Sequence, residues 1–323
     1  MAWLALVAGI GLQAVITALL GLSLNAASSL LLLAFAAAAC TLFGAVTRRG
    51  MCRPSPGHAP DVRPLVWLNV WTAVSFIAFF LGVAVHSAAV VFTLEASFAP
   101  LGVTAWTAFR PNRAGDQALP GPAQWWAANI LAVLGVSLVA AMAPSESGGI
   151  TALLAAAVLG VIAGVAAGGV VIVSRDLARR GVGVGRVMAH RFYATLVFAV
   201  AALLTLVPAG LLAPPGLHVG LLAVAALTCV VAPMFLLQYA MQRLAPISVT
   251  AALATMPAIT TGSELASGRA TSWVVLLLAA LIVPGNLALL STQRQWKRLP
   301  LLYNTFRYPI SKTLAAGDGR AAI

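Results

Sequence analysis

The chain has 323 residues, 61% of them hydrophobic and only 8% charged, with a mean hydropathy of +1.00. A water-soluble domain carries about a quarter charged residues, so this composition excludes a soluble globular protein and puts the bulk of the chain in lipid. The formal net charge of +12 does not point to nucleic acid, because the basic residues fall in connections between apolar stretches and form no single stripe.

Ten stretches are apolar over the roughly 20 residues that a bilayer core of about 30 Å requires. In chain order they cover about 2–22, 26–46, 65–85, 88–109, 124–143, 149–173, 188–212, 218–241, 246–266 and 271–291. The first lacks a basic leader region and reads as a retained span, separated from the second only by Ser23–Asn25. Continuous apolar runs favour helices over a β-barrel, whose strands alternate. The fold class read from the sequence is therefore an all-α integral membrane protein of about ten transmembrane helices.

Placing the N-terminus in the cytoplasm puts every one of the 19 basic residues except Arg269 on the inner side. A missed or invented span would reverse that bias partway along the chain. Both termini are thus expected in the cytoplasm of a multi-pass cell-membrane protein.

An internal repeat gives the same count. Shifting the sequence by 161 residues lays Ser87–Ala96 over Ser248–Pro257 with matching small and apolar classes, and Gly135 then falls on Gly285 after a loop shorter by 11. Five spans per half is an odd number, so the two halves insert in opposite directions, as in many secondary transporters. The expected organisation is a first half over 1–143, a second over 149–291 and a basic, aromatic tail over 292–323 resting on the anionic inner leaflet.

Glu95 is the sharpest chemical feature. A carboxylate inside a span costs about 2.5–3.5 kcal/mol on insertion scales, and usually faces the bundle interior with a task. Proton coupling or a counter-ion for a substrate ammonium are the functional readings; a hydrogen bond to a neighbouring helix is the structural one. Asn69 and Thr72 share a helical face that Ser75 and Phe76 extend, and with Trp71 nearby they form a candidate pocket wall. The alternative for them is interhelical hydrogen bonding. Gln238, Tyr239 and Thr255 are the candidates in the second half, with Pro233 and Pro257 as hinges. Gln13 and Asn286 read as packing polar groups, Glu264 as a solvated or paired acid, and His190 with Arg191 as a boundary pair snorkelling to headgroups. Gly160, Gly164 and Gly168 repeat every four residues, which serves either a tight contact between the halves or a homodimer.

Cys40, Cys52 and Cys229 have no metal-ligand spacing, and no motif calls for a metal or cofactor. No HExxH, GxSxG or P-loop is present, which argues against an enzyme. A channel would want a ring of charges or a filter-like segment. With no cation placed inside a span, phosphorylated substrates are disfavoured, and a zwitterionic or cationic small molecule suits a lone Glu95 better.

The stretch from Leu221 to Leu290 carries Tyr239, then Leu244-Ala245-Pro246-Ile247-Ser248, then Thr255-Met256-Pro257, and ends in a helix with Pro284-Gly285. In the first half, Thr93-Leu94-Glu95-Ala96 is its counterpart. These features resemble the EamA-like branch of the drug/metabolite transporter superfamily, with Ala96 where that family has a proline and Gly262-Ser263-Glu264 matching its late motif loosely. The resemblance implies export of amino acids, amines, drugs or related metabolites by alternating access.

Overall fold

The computed structural model describes residues 1–20, 26–51, 62–86, 88–109, 120–143, 149–210, 219–266 and 273–298. Among them every regular element is helical. The order is α1 (Ala2–Leu20), α2 (Ala26–Met51), α3 (Arg63–Val85), α4 (Ala88–Phe109), α5 (Pro122–Met142), α6 (Ile150–Arg179), α7 (Val184–His190), α8 (Tyr193–Leu206), α9 (Val219–Ala225), a π-helical turn (Ala226–Val231), α10 (Ala232–Met241), α11 (Pro246–Leu253), α12 (Met256–Ala266) and α13 (Trp273–Arg298).

Starts and breaks follow from local chemistry. Pro64, Pro122 and Pro246 sit in the first turn of α3, α5 and α11, where a missing N–H costs nothing and φ is already helical. Three apolar stretches are interrupted. Arg191–Phe192 separates α7 from α8, the π-helical turn precedes Pro233 at the start of α10, and Ala254–Thr255 separates α11 from α12 ahead of Pro257. Eight helical stretches among the described residues are long and apolar enough to cross a membrane, counting α7–α8 and α9–α10 as one each.

The outer surface identifies the solvent. On α6, Leu154, Val158, Ile162 and Val165 face outward, and on α3 Val66, Val70 and Val74 do the same. Ile130, Val133 and Val136 on α5 repeat the pattern. Apolar stripes of this extent on helix after helix would aggregate in water, and they suit hydrocarbon. The protein is a membrane protein.

The inward face of α6 explains its glycines. A Cβ on Gly160 would sit 3.0 Å from Leu94 Cβ and from the Val91 carbonyl oxygen. On Gly164 it would lie 2.5 Å from the carbonyl oxygen of Glu95, and on Gly168 2.7 Å from the amide of Val103. The four-residue stripe is therefore the seam along which α4 lies on α6, and within the chain it is already occupied. Further neighbours are α3 with α6, α2 with α7 and α8, α1 with α10 and α12, α4 with α5, α5 with α13, and α12 with α13. The tail beyond residue 298 lies outside the described residues, as do the side chains from residue 292 onward.

Adding a methyl at Gly164 is expected to lower stability by about 1–3 kcal/mol, the usual cost of overpacking. Gly11, whose Cβ would meet nothing within 4 Å, provides the control. Thermal unfolding in detergent should show Gly164→Ala melting well below Gly11→Ala; equal melting temperatures would contradict the seam.

Candidate functional site

One internal cavity brings together four polar side chains from different helices. It is lined by Gln13 of α1, Ser75 of α3, Glu95 of α4 and Arg191 from the α7–α8 break. Its walls include Phe76, Phe79 and Phe80 of α3 and Met234, Met241 and Met256 of α10 and α12. The cavity proper has a volume of about 110 Å³. Concave, mostly apolar, with a few convergent polar groups, it has the usual make-up of a small-molecule site.

Glu95 faces this cavity from the α4 turn seated against Gly164, and the Ser75 hydroxyl donates to its Oε1 at 3.5 Å. Ser75 and Phe76 are thus the part of the α3 face that reaches the site. Thr72, on the same helix, is fully buried but does not line the cavity. Trp71 packs edge-on against Trp106 of α4, centroids 5.1 Å apart, and its ring lies where a Cβ on Gly169 would come within 2.9 Å. That aromatic serves the α3–α4–α6 contact.

Of its two expected roles, Asn69 takes interhelical hydrogen bonding and not the pocket wall. Its Nδ2 donates to the His190 carbonyl, and its Oδ1 accepts the Ala194 amide at 2.9 Å. His190 ends α7 and Ala194 is in the first turn of α8, where helix ends leave carbonyls and amides without intrahelical partners. One amide side chain therefore closes both sides of the break. Across from it, a Cβ on Gly44 of α2 would lie 2.3 Å from the Ala189 amide, so α2 holds the end of α7 at backbone distance.

Arg191 overturns the snorkelling expectation. It is 1% exposed, and its Nη1 donates to Gln238 Oε1 at 2.6 Å while the guanidinium lies 4.9 Å from the Phe192 ring centroid. The physical reason is a boundary. The seventh span starts at Val184 and not at 188, which puts Arg191 about 10 Å along the helix at 1.5 Å per residue. The premise that no cation lies inside the bundle falls with it.

Gln238 is fully buried and sits one layer behind the cavity, accepting from Arg191 and, at 3.4 Å, from Ser174 of α6. Tyr239 points elsewhere, with the Arg243 guanidinium stacked 3.6 Å over its ring. Thr255 lies at the α11–α12 break and donates to the Ala252 carbonyl at 2.6 Å. Pro233 and Pro257 are both buried and both follow irregular turns, the positions a hinge would use. Gln13, read from sequence as packing, lines the cavity; Asn286 is buried on α13 away from it. The side chain of Glu264 lies outside the described residues. Among the described residues no three His, Cys, Asp or Glu side chains cluster to hold a metal.

No family model matches the sequence, and no curated protein matches it. Among solved structures, a protein crystal structure is similar over 95% of this chain and 98% of that chain, with a TM-score of 0.63 at 18% identity. A likeness at that identity concerns the fold alone.

Replacing Asn69 by Leu leaves two backbone groups at the break, the half-buried His190 carbonyl and the Ala194 amide on the lipid-facing side, without this partner where no water replaces it. Each costs about 1–3 kcal/mol, so Asn69→Leu should lower the melting temperature and speed hydrogen exchange at Ala194. Exchange at Ala194 unchanged from the wild type would contradict the bridging role.

Proposed function

We propose that this protein is a transporter of a small organic metabolite, not an enzyme, working by alternating access in the cell membrane. The observation that carries the reading is the cavity itself: a half-buried carboxylate facing a space within the bundle, lined by helices from both halves of the chain. Gln13, Ser75 and Glu95 come from the first half, and Arg191, Met234 and Met256 from the second.

The neighbour pattern supports two inverted halves. Counting α1 and the broken α11–α12 pair as spans gives ten, and moving five spans along the chain exchanges each principal contact with another one present. The packing of α6 on α4 corresponds to α1 on α12, α6 on α3 to α1 on α10, and α4 on α5 to α12 on α13. The contacts of α2 with α7 and of α5 with α13 map onto themselves. A cavity on such an axis can open to either side by rocking one half against the other. The irregular turns before Pro233 and Pro257 are suited to absorb that motion. Export as the direction, and a place in the EamA-like branch, rest on the motif resemblance.

Glu95 supplies the cavity's negative charge, as counter-ion to an ammonium group or as the coupling carboxylate. The test compares culture medium from cells carrying wild type, Glu95→Gln or an empty vector by untargeted mass spectrometry. A metabolite enriched by the wild type and reduced about tenfold or more in Glu95→Gln is expected, since a charged hydrogen bond is worth about 1.5–3 kcal/mol. Identical media from all three, with membrane expression verified, would contradict export.

A further inference from the structure

We infer that Arg191, held from behind by Gln238, forms an anion-binding subsite of the cavity that opposes Glu95, so that the occupant is a zwitterion bearing a carboxylate, an ammonium group and an apolar side chain. This rests on reading the cavity as the substrate site and narrows its substrate class.

Arg191 is the largest fully buried side chain among the described residues. A guanidinium withdrawn from water is strongly disfavoured until an anion matches it. Among the described residues no carboxylate pairs with it, whereas Arg180 does pair with Asp176. Of the five N–H donors on a guanidinium, one goes to Gln238 Oε1, and Nε has no partner among the described residues. Gln238 spends its acceptor on Arg191 and Ser174, while its Nε2 donor is also unmatched. Arg191 therefore reaches the cavity as a cation whose donors Gln238 only partly satisfies from behind, and a guanidinium is the group whose planar fork suits a carboxylate.

Glu95 offers the converse. It receives one long hydrogen bond from Ser75, leaving acceptor positions directed at the same cavity. An amine alone would satisfy Glu95 and leave the guanidinium buried and unmatched. A simple carboxylate would do the reverse, and a phosphate dianion would bring surplus negative charge. A zwitterion balances both groups at once. The rest of the cavity wall includes aromatic rings and methionines, whose flexible thioethers adapt to an apolar side chain.

The test uses the purified full-length protein in detergent and three probes with one carbon skeleton: L-leucine, 3-methylbutylamine and 4-methylpentanoate. Binding is read by titration calorimetry and by the shift in melting temperature. L-Leucine is expected to bind the wild type at least tenfold more tightly than either single-charge probe. That preference over the amine should vanish in Arg191→Gln and shrink in Arg191→Lys, which keeps the charge and loses the fork. In Glu95→Gln the preference over 4-methylpentanoate should vanish instead. Equal binding of 3-methylbutylamine and L-leucine by the wild type, survival of the preference in a folded Arg191 variant, or no binding of any probe to folded wild type would each overturn the subsite. L-Leucine binding without transport into vesicles would uphold the subsite and remove the transport reading.

Discussion

Hydrocarbon supplies no hydrogen bonds, so each place where a helix breaks inside this bundle has to be repaired by the protein itself. The break at Arg191–Phe192 is the one on which the rest turns. Asn69 closes it from α3 by pairing with the last turn of α7 and the first turn of α8. With those backbone groups satisfied, the helix can break in the interior of the span, where the long cationic side chain of Arg191 is held. Gly44 permits the approach of α2 that fixes the end of α7. Two residues remote from any ligand thereby decide where the guanidinium emerges.

The opposite charge is positioned by close packing. Three glycines bring the α4 backbone onto α6 at distances no side chain would allow, and the Glu95 turn is the tightest of these contacts. With its backbone pressed against α6, Glu95 turns its side chain into the cavity, where Ser75 meets it. An acid and a base are thus carried on separate seams, one glycine-packed and one amide-clamped, around a shared apolar space. Under the proposed transport function, a movement of one seam against the other would change their separation and so link ligand binding to a change of access.

Much of this was legible in the sequence, and the misses share a cause. Apolar stretches located the helices, including the interrupted ones, because lipid demands length and apolarity. The spacing of Gly160, Gly164 and Gly168 showed a close contact, but only coordinates reveal that α4 fills it. Glu95 stood out because a carboxylate in a span is rare. Arg191 was misplaced by a start four residues too late for its span; Val184 and Gly185 extend the helix in a basic neighbourhood that reads as loop. Asn69 takes the interhelical hydrogen-bonding alternative, but its partner is not legible in the sequence, since a side chain that caps another helix depends on a break more than a hundred residues away. Gln13 carried no distinguishing pattern at all.

Accessibility of the cavity from both sides of the membrane tests the account most directly. A single cysteine at Ala99, a cavity-lining position on α4, in a background with Cys40, Cys52 and Cys229 replaced, can be challenged with a membrane-impermeant thiol reagent. Right-side-out and inside-out vesicles expose opposite faces. Alternating access predicts labelling in both preparations, slowed in both by a bound ligand. Labelling confined to one orientation, or absent from both in folded protein, would contradict it.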